Sequence, residues 1–235
     1  MSKELLHCIF LQNVPIFEQL QLEEALLRAD TRNFCLVNTG SSRAIVMGIS
    51  GKPEELIHKA HVQQDKIPVI RRFSGGGTVI VDENTLFISF LFSKNALDVD
   101  LFPEPLLRWS GELYQKSWQI SDFHLKEHDY AIGEKKCGGN AQYIRKDRWL
   151  HHTSFLWDYQ EKNMDYLLLP SKRPHYRLNR PHSDFLCRLK EFAPSPQILI
   201  DQLIKELERQ FSIQIITPQE LQLSPHRQSV HFLIF

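Results

Sequence analysis

The chain has no excess of charge of either sign, since Lys plus Arg and Asp plus Glu each total 28. A neutral balance supplies no global field for nucleic acid or an anionic membrane, so any anion site has to be local. Cysteine is sparse: Cys8, Cys35, Cys137 and Cys187 form no C-x-x-C pair, which speaks against a zinc ribbon or a secreted disulfide framework and for a reducing compartment. No apolar run approaches the roughly 20 residues that span a bilayer. The most apolar stretch, Leu86 to Phe92, reads as a buried strand. The first 25 residues hold a single Lys and no Arg beside Glu4, Glu18, Glu23 and Glu24, which matches neither a secretory signal nor a transit peptide. Internal repeats and low-complexity tracts are absent. Together these absences predict a soluble cytoplasmic protein with no nucleic-acid or membrane partner.

What is present suffices for one large core: 235 residues, 42% hydrophobic and 24% charged, read here as a single catalytic-size domain over 1–235. Pro15 opens a helical period through Ile16, Phe17, Leu20 and Leu27. Phe34 to Val37 and Ala44 to Ile49 are short β-type runs. Pro53, Glu54 and Glu55 start a helix expected to run to about Asp65. Strands follow over 68–73, 77–81 and 85–92, then a helix over Glu104 to Trp118 and β-rich structure over 123–158. Helix Pro196 to Phe211 and strand Ile213 to Ile216 come next, with a further helix and strand expected in 217–235. Residues 159–196, rich in Pro, Arg and His, read as a long loop region with short helical turns, a kind of segment that is often functional. Short β-β links among the helices predict an α+β fold with a mixed, largely antiparallel sheet.

Two segments carry chemistry. Arg71-Arg72-Phe73-Ser74-Gly75-Gly76-Gly77-Thr78-Val79 joins two cations to a glycine triplet between β-type runs. Three residues without Cβ let a ligand approach the backbone, and their N–H groups can converge on an anion, although a hairpin turn would need the same glycines. Some sixty residues later, Lys136-Cys137-Gly138-Gly139-Asn140-Ala141-Gln142 again joins a cation to glycine, followed by His151-His152-Thr153-Ser154-Phe155-Leu156. This second segment is not a P-loop, which needs Lys and Ser or Thr immediately after its last glycine, because Gly139 is followed by Asn140. Eleven histidines suggest a transition metal only superficially. His151 and His152 are neighbours on a strand and point to opposite faces, so no structural metal is expected.

The order R-R-x-S-G-G-G-x-V, K-x-x-G-x-A-Q, H-H-x-x-x-L resembles the lipoate-protein ligase A family, within the wider group of biotin and lipoate ligases and octanoyltransferases. Leu20, Glu23 and Glu24 resemble that family's L-x-x-E-E helix, and Ile45-Val46-Met47-Gly48 its V-V-I-G strand; the likeness runs from about 15 to 160. The resemblance implies a catalytic domain like those of class II aminoacyl-tRNA synthetases and biotin synthetases. It implies activation of lipoate or octanoate by ATP with magnesium to an acyl-adenylate, then transfer to a lysine of a carrier. The carriers it implies are lipoyl domains of 2-oxoacid dehydrogenases and the glycine-cleavage carrier protein. Carried over by position, Lys136 contacts the acyl carbonyl and adenylate phosphate. Arg71, Arg72, Ser74, Gly75, Gly76, Gly77 and Thr78 line the pocket with Gly138, Gly139, Asn140, Ala141 and His152, and Asp129 lies near nucleotide and metal.

Departures are visible. His128 replaces the Asn that precedes Asp129 in the family, Val81 stands where many members have His, and the family's H-G-T-x-L lacks its glycine at Thr153. His152 therefore reads equally as a hydrogen-bonded core histidine. An octanoyltransferase of the same fold would need a cysteine nucleophile after the His strand, where this chain has Leu167-Leu168-Leu169-Pro170-Ser171; Cys137, beside Lys136, reads as a packed residue. The G-R-G-R loop of biotin ligases is missing. Little chain remains for the accessory domain of many bacterial ligases, and some single-domain relatives need a separate accessory subunit to form the adenylate. A binding protein that has lost turnover is a further reading, which retention of Lys136 with the glycine triplet argues against.

Overall fold

The computed structural model describes residues 3–171 and 173–235. In chain order the elements are β1 (Glu4–Gln12), α1 (Ile16–Ala29), β2 (Asn33–Thr39), β3 (Ala44–Met47), α2 (Pro53–Leu56) and α3 (Lys59–Gln64). These are followed by β4 (Val69–Arg71), β5 (Val79–Val81), β6 (Thr85–Ser93), α4 (Pro103–Trp118), β7 (Phe123–Lys126) and β8 (Asp129–Ile132). The remainder comprises β9 (Lys135–Ile144), β10 (Arg148–Leu156), α5 (His182–Phe185), α6 (Pro196–Leu207), β11 (Phe211–Ile215) and β12 (His231–Phe232).

The strands form an eight-stranded sheet in the order β11-β1-β2-β6-β10-β9-β8-β7 and a four-stranded sheet in the order β12-β4-β3-β5. Among the described residues, only the β11-β1, β1-β2 and β3-β4 strand pairs are parallel. The fold is thus α+β with a mixed, largely antiparallel sheet, as the sequence predicts.

Strand β6 shows why its run is almost continuously apolar: the large sheet is covered on both faces. Leu86, Ile88, Phe90 and Phe92 enter the core with Leu106, Tyr114, Trp118, Leu199 and Leu203 of α4 and α6. Phe87 and Leu91 enter a second core with Leu20 and Leu26 of α1 and Val46 and Ile70 of the small sheet. The site described below lies on the second side, between the two sheets.

Three expected elements differ, the first being the helix expected from Pro196 to Phe211, which ends at Leu207 while Phe211 already opens β11. The helix from Pro53 breaks at Ile57, which adopts an extended backbone, bridges Leu167 and is 2% exposed. Burying that side chain against the 159–167 segment overrides local helical preference. The stretch after Thr217 holds a short 3-10 turn over Pro218–Glu220 and the two-residue β12, without a further α-helix. Among the described residues, no helix is long and apolar enough to cross a membrane.

Candidate active site

The glycine loop is shaped from below by the arginines that precede it. Arg72 is 4% exposed; its guanidinium donates to the carbonyls of Gly75 at 2.9 Å and Gly77 at 2.8 Å. Burial lowers its pKa to about 10, and the charge of Glu23 opposes that shift, so it remains a cation at neutral pH. Arg71 spans the preceding turn by donating to the carbonyls of Gly48, Ile49 and Gly51. Both arginines are thus spent on backbone carbonyls, a use that the sequence does not disclose. Gly76, at φ +105°, occupies a backbone region that favours glycine, and a Cβ there would meet Arg72 Nη2 at 2.8 Å and Asn140 O at 3.1 Å. A Cβ on Gly77 would meet nothing within 4 Å. The hydroxyls of Ser74 and Thr78 are buried and, among the described residues, without a partner, so the loop keeps polar capacity in reserve.

The two sequence motifs meet in space. The Gly75 amide donates to the Gln142 carbonyl at 3.3 Å, and Gly76 lies over Asn140 and Ala141 of β9. A β-bulge decides where Lys136 points. Tyr130 opposes Gly138 while Ala131 opposes Lys136, so Cys137 is one residue too many for the β8-β9 ladder. Cys137 and Gly138 consequently both face the α4 core: Cys137 is fully buried in it, and a Cβ on Gly138 would collide with the Phe155 ring. Lys136 turns to the opposite face, its ammonium 3.1 Å from where a Gly139 Cβ would stand. It pairs with Asp129 Oδ1 at 2.7 Å. Burial pushes the Cys137 thiol well up, which removes it as a ready nucleophile.

His151 and His152 do point apart. His152 Nδ1 lies 2.9 Å from Glu23 Oε1 and 3.0 Å from Ser89 Oγ, beneath the glycine loop and on the face that Ser89 shares with Phe87 and Leu91. Burial raises the Glu23 carboxyl, but the charge and hydrogen bond of His152, with those from Ser89 and Gln19, outweigh it and hold Glu23 below its ordinary value. Sequence reading found His152 but not this buried system around Glu23; a Ser within the apolar β6 run is the signal that could have revealed it. His151, on the α4 side, lies 2.7 Å from the Tyr130 hydroxyl and 2.9 Å from Gln142 Nε2. Burial, then the neighbouring His152, lowers its pKa to about 3.

The third wall is the arm 173–187. Leu186 bridges Lys136, and the Cys187 amide donates to the Lys136 carbonyl at 2.9 Å. The Tyr176 hydroxyl donates to Asp129 Oδ2 at 3.1 Å; burial, then the charge of Asp129, raises that phenol's pKa. His182 is lowered to about 4 by burial and by the charges of Arg177 and Lys136. It also lines a cleft of about 990 Å³ with His58, Asp65 and Tyr166. Among the described residues, no group of three or more His, Cys, Asp or Glu could hold a metal ion.

Residues 15–212 match the family described as the lipoyl protein ligase A/B catalytic domain. The chain belongs to that family. It is 30% identical over 281 residues to the inactive lipoate–protein ligase 2 of Plasmodium falciparum (isolate 3D7), covering 92% of this chain and 72% of that protein. Against the proteins named probable lipoate-protein ligase A of two Mycoplasma species and the lipoate-protein ligase LplJ of Bacillus subtilis it spans about a third of their length. The same fold occurs in the crystal structure of a lipoate-protein ligase A bound with ATP (TM-score 0.72, 21% identity, 94% of this chain and 91% of that one). It occurs too in a bi-partite lipoate protein ligase from Thermoplasma acidophilum (TM-score 0.72, 20% identity, 94% and 89%).

Proposed function

We propose that this chain, as one catalytic domain over 1–235, is a lipoate–protein ligase. In this reading it activates lipoate or octanoate with magnesium-bound ATP and passes the acyl group to a lysine of a lipoyl carrier domain. The observation that carries the reading is the meeting of a glycine loop, shaped by buried Arg72, with a strand whose bulge turns Lys136 toward the same side. Such a site suits an acyl phosphate. The loop's backbone admits the acyl chain and phosphate, and the Lys136 ammonium stabilises the charge that grows on oxygen when carboxylate attacks the α-phosphate and again when the carrier lysine attacks the acyl carbonyl. Asp129, which the resemblance puts near nucleotide and metal, would hold a phosphate-borne magnesium by exchanging its bonds to Lys136 and Tyr176; such an ion commonly needs one or two protein carboxylates. ATP and lipoate enter as substrates, and the resident side chains position them. The four free buried thiols support a reducing, cytoplasmic setting.

The proposed carriers are lipoyl domains of 2-oxoacid dehydrogenases or the glycine-cleavage carrier, with an accessory subunit where adenylation requires one. A second reading, a lipoate-binding homologue without turnover, is favoured by the extent of the likeness to a protein named inactive. One assay separates them: the full chain, lipoate, Mg-ATP and an unmodified lipoyl domain are incubated, and the domain's mass and released pyrophosphate are measured. ATP-dependent modification is expected. Bound lipoate without any product would replace the ligase reading with the second, adenylate without transfer would call for a missing subunit, and modification from acyl carrier protein without ATP would indicate a transferase.

A further inference from the structure

The arm over the Lys136 face carries Arg173, Arg177 and Arg180, and Arg188 follows it directly. Three of them have good acceptors. Arg173 donates to Asn179 Oδ1 at 2.6 Å, Arg180 to the carbonyls of Glu134 at 2.9 Å and Tyr176 at 2.7 Å, and Arg188 pairs with Asp158 at 2.9 Å. Arg177 differs. It is 6% exposed, yet among the described residues its guanidinium makes one long hydrogen bond, from Nε to the Arg180 carbonyl at 3.4 Å, and its Nη2 is buried with no partner. The Phe185 ring under it, 4.6 Å away, offsets part of the charge but cannot accept from the in-plane N–H groups. A buried donor left empty is costly to a fold, and a buried charged one more so.

The surroundings indicate what would fill it. Tyr176, the preceding residue, is bonded to Asp129, and Asp129 to Lys136. Through Leu186 and Cys187 the arm is tied to Lys136 itself. Arg177 and Lys136 act together on His182, and Asp129 acts on Arg177, so these groups share one region. Among the described residues, two carboxylates are bonded into this group: the oxygens of Asp129 are taken by Lys136 and Tyr176, and those of Glu127 accept from the His175 and Tyr176 amides. Both acids are thus committed elsewhere, and the Arg177 guanidinium has neither of them as a partner.

We infer that Arg177 is a phosphate ligand: the planar fork of its guanidinium, on the arm, and the ammonium of Lys136, on the strand, grip a phosphate group of the nucleotide from two sides. The inference rests on the adenylating reading for the identity of the nucleotide. The phosphate is either that of the adenylate or that of the departing diphosphate.

The test titrates the full chain calorimetrically with AMP and separately with sodium pyrophosphate, at ionic strength held constant with sodium chloride. The variants are Arg177→Met, Arg177→Lys and, as control, Arg209→Met, at the far end of α6. Arg177→Met is expected to weaken at least one of the two ligands about tenfold or more while unfolding, without ligand, at a temperature no lower than wild type. A loss confined to AMP assigns the adenylate phosphate, and a loss confined to pyrophosphate assigns the leaving group. Wild type that binds neither, or Arg177→Met that binds both as wild type does, overturns the inference. Where Arg177→Met is unstable, Arg177→Lys decides: it keeps the charge without the fork, so weakened binding supports the assignment and undiminished binding removes it. Phosphate binding through Arg177 in a chain that fails the ligation assay would leave this site standing and retire the ligase reading.

Discussion

At the scale of single residues, Lys136 and Gly76 concentrate the chemistry for different reasons. In the proposed ligase reaction Lys136 supplies charge that matters most in the transition state, and a preorganised donor of this kind is worth about 3 kcal/mol. Lys136→Ala should lower the rate of adenylate formation about 100- to 1,000-fold with the far-ultraviolet dichroism unchanged. A folded variant with near-normal pyrophosphate release would take Lys136 out of its role. Gly76 supplies geometry. Gly76→Ala puts a side chain at φ +105° against Arg72 and should cost about 1–3 kcal/mol, whereas Gly77→Ala, which meets open space, should leave the urea midpoint nearly unchanged. Equal effects at the two positions would contradict the loop conformation described.

At the scale of elements, the bulge in β9 and the strand β12 do the positioning. The extra residue at Cys137 reverses the side on which Lys136 emerges relative to an unbroken alternation. β12 pairs with β4 at Ile70 and Arg71, at the entrance to the glycine loop. The segment leading into it donates from the Ser229 and Val230 amides to Glu24 Oε2 at 2.7 and 3.3 Å. Phe232 stacks on Phe17 with ring centres 4.2 Å apart. Truncation after Arg227 should therefore cost about 2–4 kcal/mol, measured by urea unfolding, because it strips an edge strand and two partners of a buried carboxylate. An unchanged midpoint would show that this segment contributes nothing to the fold.

At the scale of the whole molecule, folding holds His151 neutral inside the α4 core. Its folded pKa of about 3 lies below the ordinary 6.5, so the unfolded chain binds the extra proton between these values. The contribution to stability is complete above about pH 6.5 and is lost as pH falls toward 3, by at most about 1.4 kcal/mol per pH unit. His151→Gln, which keeps a hydrogen-bonding side chain but does not titrate, should flatten that part of the stability curve. An identical acid slope in both proteins would place the titrating group elsewhere.

Local chemistry determined much of this protein in advance. The apolar alternation marked the strands, the prolines and acids marked several helix starts, and two cation-and-glycine motifs marked the candidate site proposed here, because each of these depends on neighbours along the chain. The break at Ile57 was hidden, since it is imposed by burial against a segment more than a hundred residues away. So was the use of Arg71 and Arg72, whose acceptors are backbone carbonyls that no side-chain pattern reveals. The direction of Lys136 depends on a register slip between β8 and β9, and the isolation of Arg177 depends on which acceptors the arm brings near it. Those outcomes belong to tertiary structure because an anion site is defined by which groups meet and which donors remain unfilled, and both are settled only when distant strands close.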